Sequence, residues 1–194
     1  MQKINQLYVM RDENYTKGLM DLIQYLNEFG DTTKMRMVEI GSYAGESTKI
    51  FAKHFKEVVS IDPFLNDYDL NDMACYYMDL NKVYEEFISN TKTCSNIRLI
   101  RQKSDDAINE LINESFDFIY IDGIHTYVQV NKDIDNYKPL IVKGGFIGGH
   151  DFHPVWSGVV QSIKEKLGEP NKTFQDTSWV IKIDSFPIIL EGFL

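Results

Sequence analysis

The chain has 194 residues, 43% hydrophobic and 13% aromatic, enough apolar material for one sizeable core and near the upper range of a single domain. Its formal net charge of −9, with no Lys/Arg cluster to offset it, disfavours a nucleic-acid partner, because the average surface field repels phosphates. No window approaches the run of about 20 apolar residues that a membrane span needs, and the opening MQKINQLYVMRDENYTKG lacks the apolar stretch of a secretory leader, so a cytoplasmic protein with no membrane partner is expected.

Residues Tyr15 to Phe29 place Leu19, Met20, Leu22, Ile23, Leu26 and Phe29 at helical spacing, and Gly30 follows as a stop. This predicts an amphipathic helix within an N-terminal extension, residues 1–34. Met35 to Ile40 reads as a short strand running into Gly41, followed by a helix from Ser47 to Phe55. Val58 to Ile61 is a second strand. The stretch 63–92 is long for a connection and carries Tyr68, Met73, Tyr76, Tyr77, Met78 and Tyr84. It reads either as a lid over a substrate or as an ordinary packed helix. Cys75 and Cys94 are neither paired in spacing nor numerous, and read as structural thiols of a reducing compartment.

Ile97 to Ile100 is the third strand, with a helix-like stretch from Asp105 to Ile112. Phe116 to Ile121 is the fourth, with a helix from Val128 to Tyr137; Phe146 to Gly149 is the fifth, with a helix from Gly158 to Leu167. Trp179 to Ile183 closes the series. Strands alternating with helices imply right-handed crossovers. The expected fold is therefore α/β: a Rossmann-like, doubly wound, mostly parallel seven-stranded sheet with a C-terminal antiparallel hairpin and helices on both faces, in a single domain spanning 1–194.

Polar residues gather where these strands end, which in an open α/β sheet is where ligands bind. After the first strand, VEIGSYAGESTKIF supplies Gly41 and Gly45 for a tight turn, with Ser42 and Ser47 near a helix N-terminus. A dinucleotide fingerprint would need glycine where Tyr43 stands, so a ligand without a closely held pyrophosphate fits better. Asp62 follows the second strand about twenty residues on, where a carboxylate can accept ribose hydroxyls. Ser104 and Asp105 follow the third, within reach of an adenine edge. The fourth strand ends at Asp122 with His125 three residues later, and the fifth at His150, Asp151 and His153. Each residue alone fits a cap or a turn; their joint placement points to a site. His153 reads equally as a surface or capping residue, and His54 as structural.

The ordered set EIGSYAG, SIDPF, QKSDDA, YIDGIHTY and GGFIGGHDF resembles class I S-adenosylmethionine-dependent methyltransferases, specifically the metal-assisted O-methyltransferases of catechol and macrocin type, over Met35 to Ile183. The resemblance implies that Glu39, Gly41, Ser42, Tyr43 and Ser47 surround the methionine part of S-adenosylmethionine, that Asp62 holds its ribose, and that Ser104 and Asp105 hold its adenine. It implies a divalent metal, Mg²⁺ or Mn²⁺, on Asp122, His150 and Asp151, with His125 as general base beside Asp122. A histidine at 150, where relatives often present a carboxylate, suits Mn²⁺, Fe²⁺ or Zn²⁺ better than Mg²⁺, with an outer-sphere or second-base role as the alternative. The implied partner is a small-molecule hydroxyl acceptor such as a sugar, glycoside or phenol, with a homo-oligomer left open.

Two other classes share parts of the pattern. An NAD(P)-dependent oxidoreductase or epimerase would use the same glycine turn and downstream Asp62, but Tyr43 and the lack of a YxxxK pair count against it. A non-catalytic binding module would not need the ordered strand-end motifs.

Overall fold

The computed structural model describes residues 12–66 and 78–184. Asp12 caps the first helix, α1 (Glu13–Asn27), by accepting from the amides of Asn14 and Tyr15. Leu19, Leu22, Ile23 and Leu26 form its buried stripe. They pack with Met37, Phe118 and Val180 on one face of the sheet, and each such anchor contributes about 1.5–3 kcal/mol.

The remaining elements are β1 (Arg36–Ile40), α2 (Glu46–His54), β2 (Glu57–Ile61), α3 (Leu80–Thr91), β3 (Ile97–Ile100), α4 (Ser104–Ala107), β4 (Phe116–Ile121), α5 (Tyr127–Tyr137), β5 (Ile141–Gly149), α6 (Ser157–Leu167), β6 (Lys172–Thr173) and β7 (Trp179–Lys182). The sheet has seven strands in the order β3-β2-β1-β4-β5-β7-β6. The first five are parallel, and β7 pairs antiparallel with both β5 and β6. This is the expected doubly wound sheet with its C-terminal hairpin. The strands are apolar on both faces because both are covered. In β4, Ile119 and Ile121 face one core while Phe118 and Tyr120 face the other. Phe116 breaks the alternation where the ladder to β5 shifts register.

Two local expectations are adjusted. The helix anticipated over Asp105 to Ile112 is a single α-turn, Ser104–Ala107, continued by a 3-10 turn, Ile108–Glu110. Only Ala107 and Leu111 are buried there, and the Asn109 side chain bonds back to the Asp106 carbonyl, so no apolar stripe sustains a longer helix. β5 starts at Ile141 rather than Phe146, running through Gly144 at φ +81° and through Gly145. A Cβ on Gly145 would lie 2.7 Å from the Asp117 carbonyl, so Gly145 permits a close approach of β5 to β4, while Gly144 has open space and supplies the positive φ. Within 63–92, α3 packs Leu80, Val83 and Phe87 against Ala44 and Phe64. Tyr68, Met73, Cys75, Tyr76 and Tyr77 lie outside the described residues, while Cys94 is a free thiol.

Among the described residues no helix is long and apolar enough to cross a membrane. The N-terminal strand ends are tied by Arg36, which contacts Glu57 at 2.7 Å and Glu114 at 2.6 Å, leaving the opposite edge for the site.

Candidate active site

The chain order reverses between β1 and β4, and the crevice opens beyond the carboxyl ends of these two strands. The ladder continues past both ends: the Gly41 amide donates to Ile61, the Asp122 amide to Ile40 and the His150 amide to Ile121, at 2.8–3.0 Å. Main-chain bonds thus seat the β1, β4 and β5 loops side by side. Gly41, at φ +84°, is essential to this approach, because a Cβ there would fall 2.1 Å from the Asp122 carbonyl oxygen.

Three non-glycine residues with positive φ cluster at these strand ends: Tyr43 at +43°, Phe64 at +48° and Asp151 at +63°. Such conformations cost of order 1–3 kcal/mol each and collect where function over-determines the backbone.

An open cleft lies over the switch point, lined by Gly41, Tyr43, Asp62, Ser104, Asp122 and His125 among the anticipated residues. Ile40, Ile61, Phe64, Leu65 and Ile124 supply apolar walls, and Gln129 and Asp133 a polar end. Neither Gln129 nor Asp133 was anticipated. Their i, i+4 spacing on α5, which puts both on one helix face, was the signal that could have found them.

Asp62 is tied to two loops at once. One carboxylate oxygen accepts from the Ser42 amide at 3.1 Å and the Tyr43 amide at 2.9 Å; the other accepts from the Phe64 amide at 2.9 Å. Burial pushes its carboxyl up from the ordinary value, opposed by these three amides. A carboxylate has about four acceptor positions, so one remains for a ligand facing the cleft.

Glu39 and Ser47 are spent on each other. Glu39 is wholly buried and accepts from the hydroxyls of Ser47 and Thr48, which fastens the first turn of α2 to β1. Ser42 is buried, and its hydroxyl has no hydrogen-bond partner among the described residues. Asp105 lies beyond the cleft wall, accepting from Gln129 at 2.9 Å and Lys132 at 3.0 Å. The Gln129 bond, set against the cost of burial and reinforced by Lys132, holds its carboxyl below the ordinary value.

At the β4 and β5 ends, Asp151 serves two imidazoles. His125 Nε2 is 2.8 Å from one carboxylate oxygen, and His150 Nδ1 is 3.1 Å from the other. His150 Nδ1 also lies 3.7 Å from Asp122. Burial alone would raise the Asp151 carboxyl, but the bonds to His125 and His150 outweigh it and hold the group well below the usual carboxylate range. Donor atoms of Asp122, His125 and Asp151 all lie within 4.8 Å of one another, a metal-type cluster that takes His125 where His150 was expected. Trp156 packs over His125 with ring centroids 4.6 Å apart, and Tyr15 of α1 lies 5.7 Å from His150. His153 caps the turn Pro154–Trp156 through its Nδ1, and His54 closes α2; neither lines the cleft.

Asp133 is 1% exposed, and burial raises its carboxyl to about 6 against the bonds from Ser104 and Gln129. The folded-state value exceeds the unfolded one of about 3.9, so the folded chain holds this proton more tightly. Its contribution is full below that unfolded value and is lost as pH rises towards the folded one. Asp133→Asn should therefore gain stability relative to wild type by about 2 kcal/mol between pH 4 and pH 7. Urea titrations across that range measure the difference, and a pH-independent difference would remove Asp133 from the account.

A family model described as a methyltransferase domain matches residues 38–152. An uncharacterized protein of Acanthamoeba polyphaga mimivirus is 28% identical over 136 residues, which cover 67% of this chain and 58% of that one. The chain thus spans little more than half the length of this curated relative. Solved structures share the fold. The calicheamicin methyltransferase CalS11 aligns with a TM-score of 0.62 at 15% identity, over 92% of this chain and 83% of that one. An O-methyltransferase from Bacillus cereus, solved with S-adenosylhomocysteine, aligns with a TM-score of 0.61 at 16% identity, over 91% and 84%. The N-methyltransferase NodS from Bradyrhizobium japonicum aligns with a TM-score of 0.59 at 19% identity, over 90% of each chain. Oxygen and nitrogen acceptors both occur among these neighbours, so the acceptor atom must be argued from the site.

Proposed function

The chain belongs to the methyltransferase domain family, and from that premise we propose that it moves a methyl group from S-adenosylmethionine to a hydroxyl oxygen of a small molecule, such as a sugar, glycoside or phenol. The observation that carries the proposal is the meeting of Asp122, His125 and Asp151 at the edge of the switch-point cleft. A hydroxyl is a poor nucleophile until its proton has somewhere to go, and this cluster sets an imidazole, backed by a carboxylate, beside the cofactor cleft.

The sulfonium of the cofactor supplies an activated methyl group. Gly41 and Tyr43 would line its turn of the cleft, and Asp62 would offer its remaining acceptor position to the ribose. Carboxylates at Asp62, Asp122 and Asp133 favour a cationic donor over an anionic one. As the hydroxyl oxygen attacks the methyl carbon and the carbon–sulfur bond breaks, the hydroxyl proton passes to His125. Asp151 orients that ring and stabilises the imidazolium, leaving a methyl ether and S-adenosylhomocysteine as products.

Two carboxylates and an imidazole form a donor set that fits a divalent cation, with Mn²⁺ suited better than Mg²⁺ by the imidazole. A cation on Asp122 and Asp151 would supply Lewis-acid stabilisation to the acceptor oxygen, and His125 would be left for the proton only if His150, outside this cluster, completed the ligand set in its place. The 2.8 Å contact between His125 and Asp151 favours a second reading, in which this pair works as a His–Asp base with no cation.

Calorimetric titration with S-adenosylhomocysteine and, separately, NAD tests the cofactor. Binding of the first alone is expected, and binding of NAD alone would move the chain to the oxidoreductase class. Asp62→Ala should weaken S-adenosylhomocysteine binding by about 1–3 kcal/mol, through loss of the ribose acceptor and of the bonds shaping both loops. An unchanged dissociation constant would remove Asp62 from the site. Incubation of a hydroxylated metabolite panel with methyl-labelled cofactor then identifies the acceptor.

A further inference from the structure

The polar end of the cleft presents a wall of hydrogen-bond acceptors with its donors already committed. The Ser104 hydroxyl donates to Asp133 Oδ1 at 2.7 Å. Gln129 Nε2 lies 2.9 Å from Asp105 Oδ1, 3.1 Å from Asp133 Oδ1 and 3.2 Å from Ser104 Oγ. Two of these neighbours are carboxylate oxygens and the third is a hydroxyl whose proton is already spent, so only the amide nitrogen can face them. The Gln129 amide orientation follows, and its carbonyl is what it has left to offer. Ser104 retains only lone pairs. Asp133 is 1% exposed, and its second oxygen has no partner among the described residues. The wall is rigid, since the Tyr137 hydroxyl pins the Ser104 carbonyl from behind at 2.8 Å.

We propose that Gln129 is the specificity residue at the base end of the cofactor cleft, its carbonyl accepting from an exocyclic 6-amino group and turning away a 6-oxo purine. The inference rests on S-adenosylmethionine being the ligand of this cleft, and it reassigns the base contact from Ser104 and Asp105, whose polar atoms are engaged with each other's neighbours on α5. An amino group completes the wall with a donor. A carbonyl in its place would set lone pair against lone pair, and a site built around a hydrogen bond rejects the analogue that cannot make it.

The test is calorimetric titration of the full chain with S-adenosylhomocysteine and with S-inosylhomocysteine, which differ at position 6 of the purine. Wild type is expected to bind the adenosyl compound at least about tenfold tighter. Gln129→Met, which keeps the length of the side chain and removes its amide, should bring the ratio to within about twofold of one, with its folding checked by thermal melting. Equal binding of both compounds by wild type overturns the inference while leaving the methyltransferase proposal standing. An undiminished ratio in the folded variant overturns the assignment to Gln129. If that variant does not fold, Gln129→Ala takes its place and should likewise bring the ratio to within about twofold of one, an undiminished ratio overturning the assignment. Failure of wild type to bind S-adenosylhomocysteine at all defeats the cofactor assignment itself, a different result from loss of discrimination.

Discussion

Replacing His125 by alanine is expected to lower kcat by about 10²–10⁴-fold while leaving S-adenosylhomocysteine affinity nearly unchanged, because a base acts on the proton only as the methyl group moves. The ring is held at Nε2 by Asp151 and covered by Trp156, so its position is set before any acceptor arrives. The same histidine belongs to the cluster that could hold a cation, and the variant separates the two roles. Slow turnover with unchanged metal content assigns His125 as base. Loss of bound metal in the variant assigns it as ligand and passes the base role to His150. Near wild-type kcat with the true acceptor would leave His125 as a structural residue of the loop after β4.

The second large effect is expected at Asp151. One buried carboxylate serves both imidazoles, so Asp151→Asn removes the charge that holds His125 and His150 and, in the metal reading, a ligand as well. Turnover should fall at least as far as in His125→Ala, on the order of 10²-fold or more. Asparagine suits this test because it tolerates the left-handed backbone at φ +63°, where alanine would add strain. Exhaustive chelation distinguishes the mechanisms: activity lost and then restored by added Mg²⁺ or Mn²⁺ supports the cation, whereas full activity in chelator leaves the His125–Asp151 pair to work alone. Full activity of Asp151→Asn would remove this cluster from the reaction under either mechanism.

The strands and most helices were legible because their cores are continuous in sequence. Phe116 to Ile121 is apolar except for Asp117 and is ended by Asp122, and a strand buried on both faces reads as such a run. The helix after β3 is shorter than its sequence suggests because helical propensity runs on past Ala107 while only Leu111 beyond it is buried. The start of β5 is hidden in the sequence because Gly144 and Gly145 carry no apolar side chain, and only the structure shows β4 lying close against Gly145.

The sequence by itself determined the doubly wound order, the strand ends at which polar residues collect, and thus the set of loops that form the cleft. It did so because periodicity and punctuation are local properties of a chain. Only the tertiary structure decided how those polar residues share their bonds. Glu39 and Ser47 close on each other beneath the sheet face; Asp62 spends three acceptor positions on loop amides; Asp151 stands between two histidines; and Gln129, on a helix that carried no site assignment, turns its amide towards Ser104, Asp105 and Asp133. These partnerships join residues up to dozens of positions apart, and a side chain with several possible partners takes the one that the packing of the sheet and its crossover helices brings within hydrogen-bond distance.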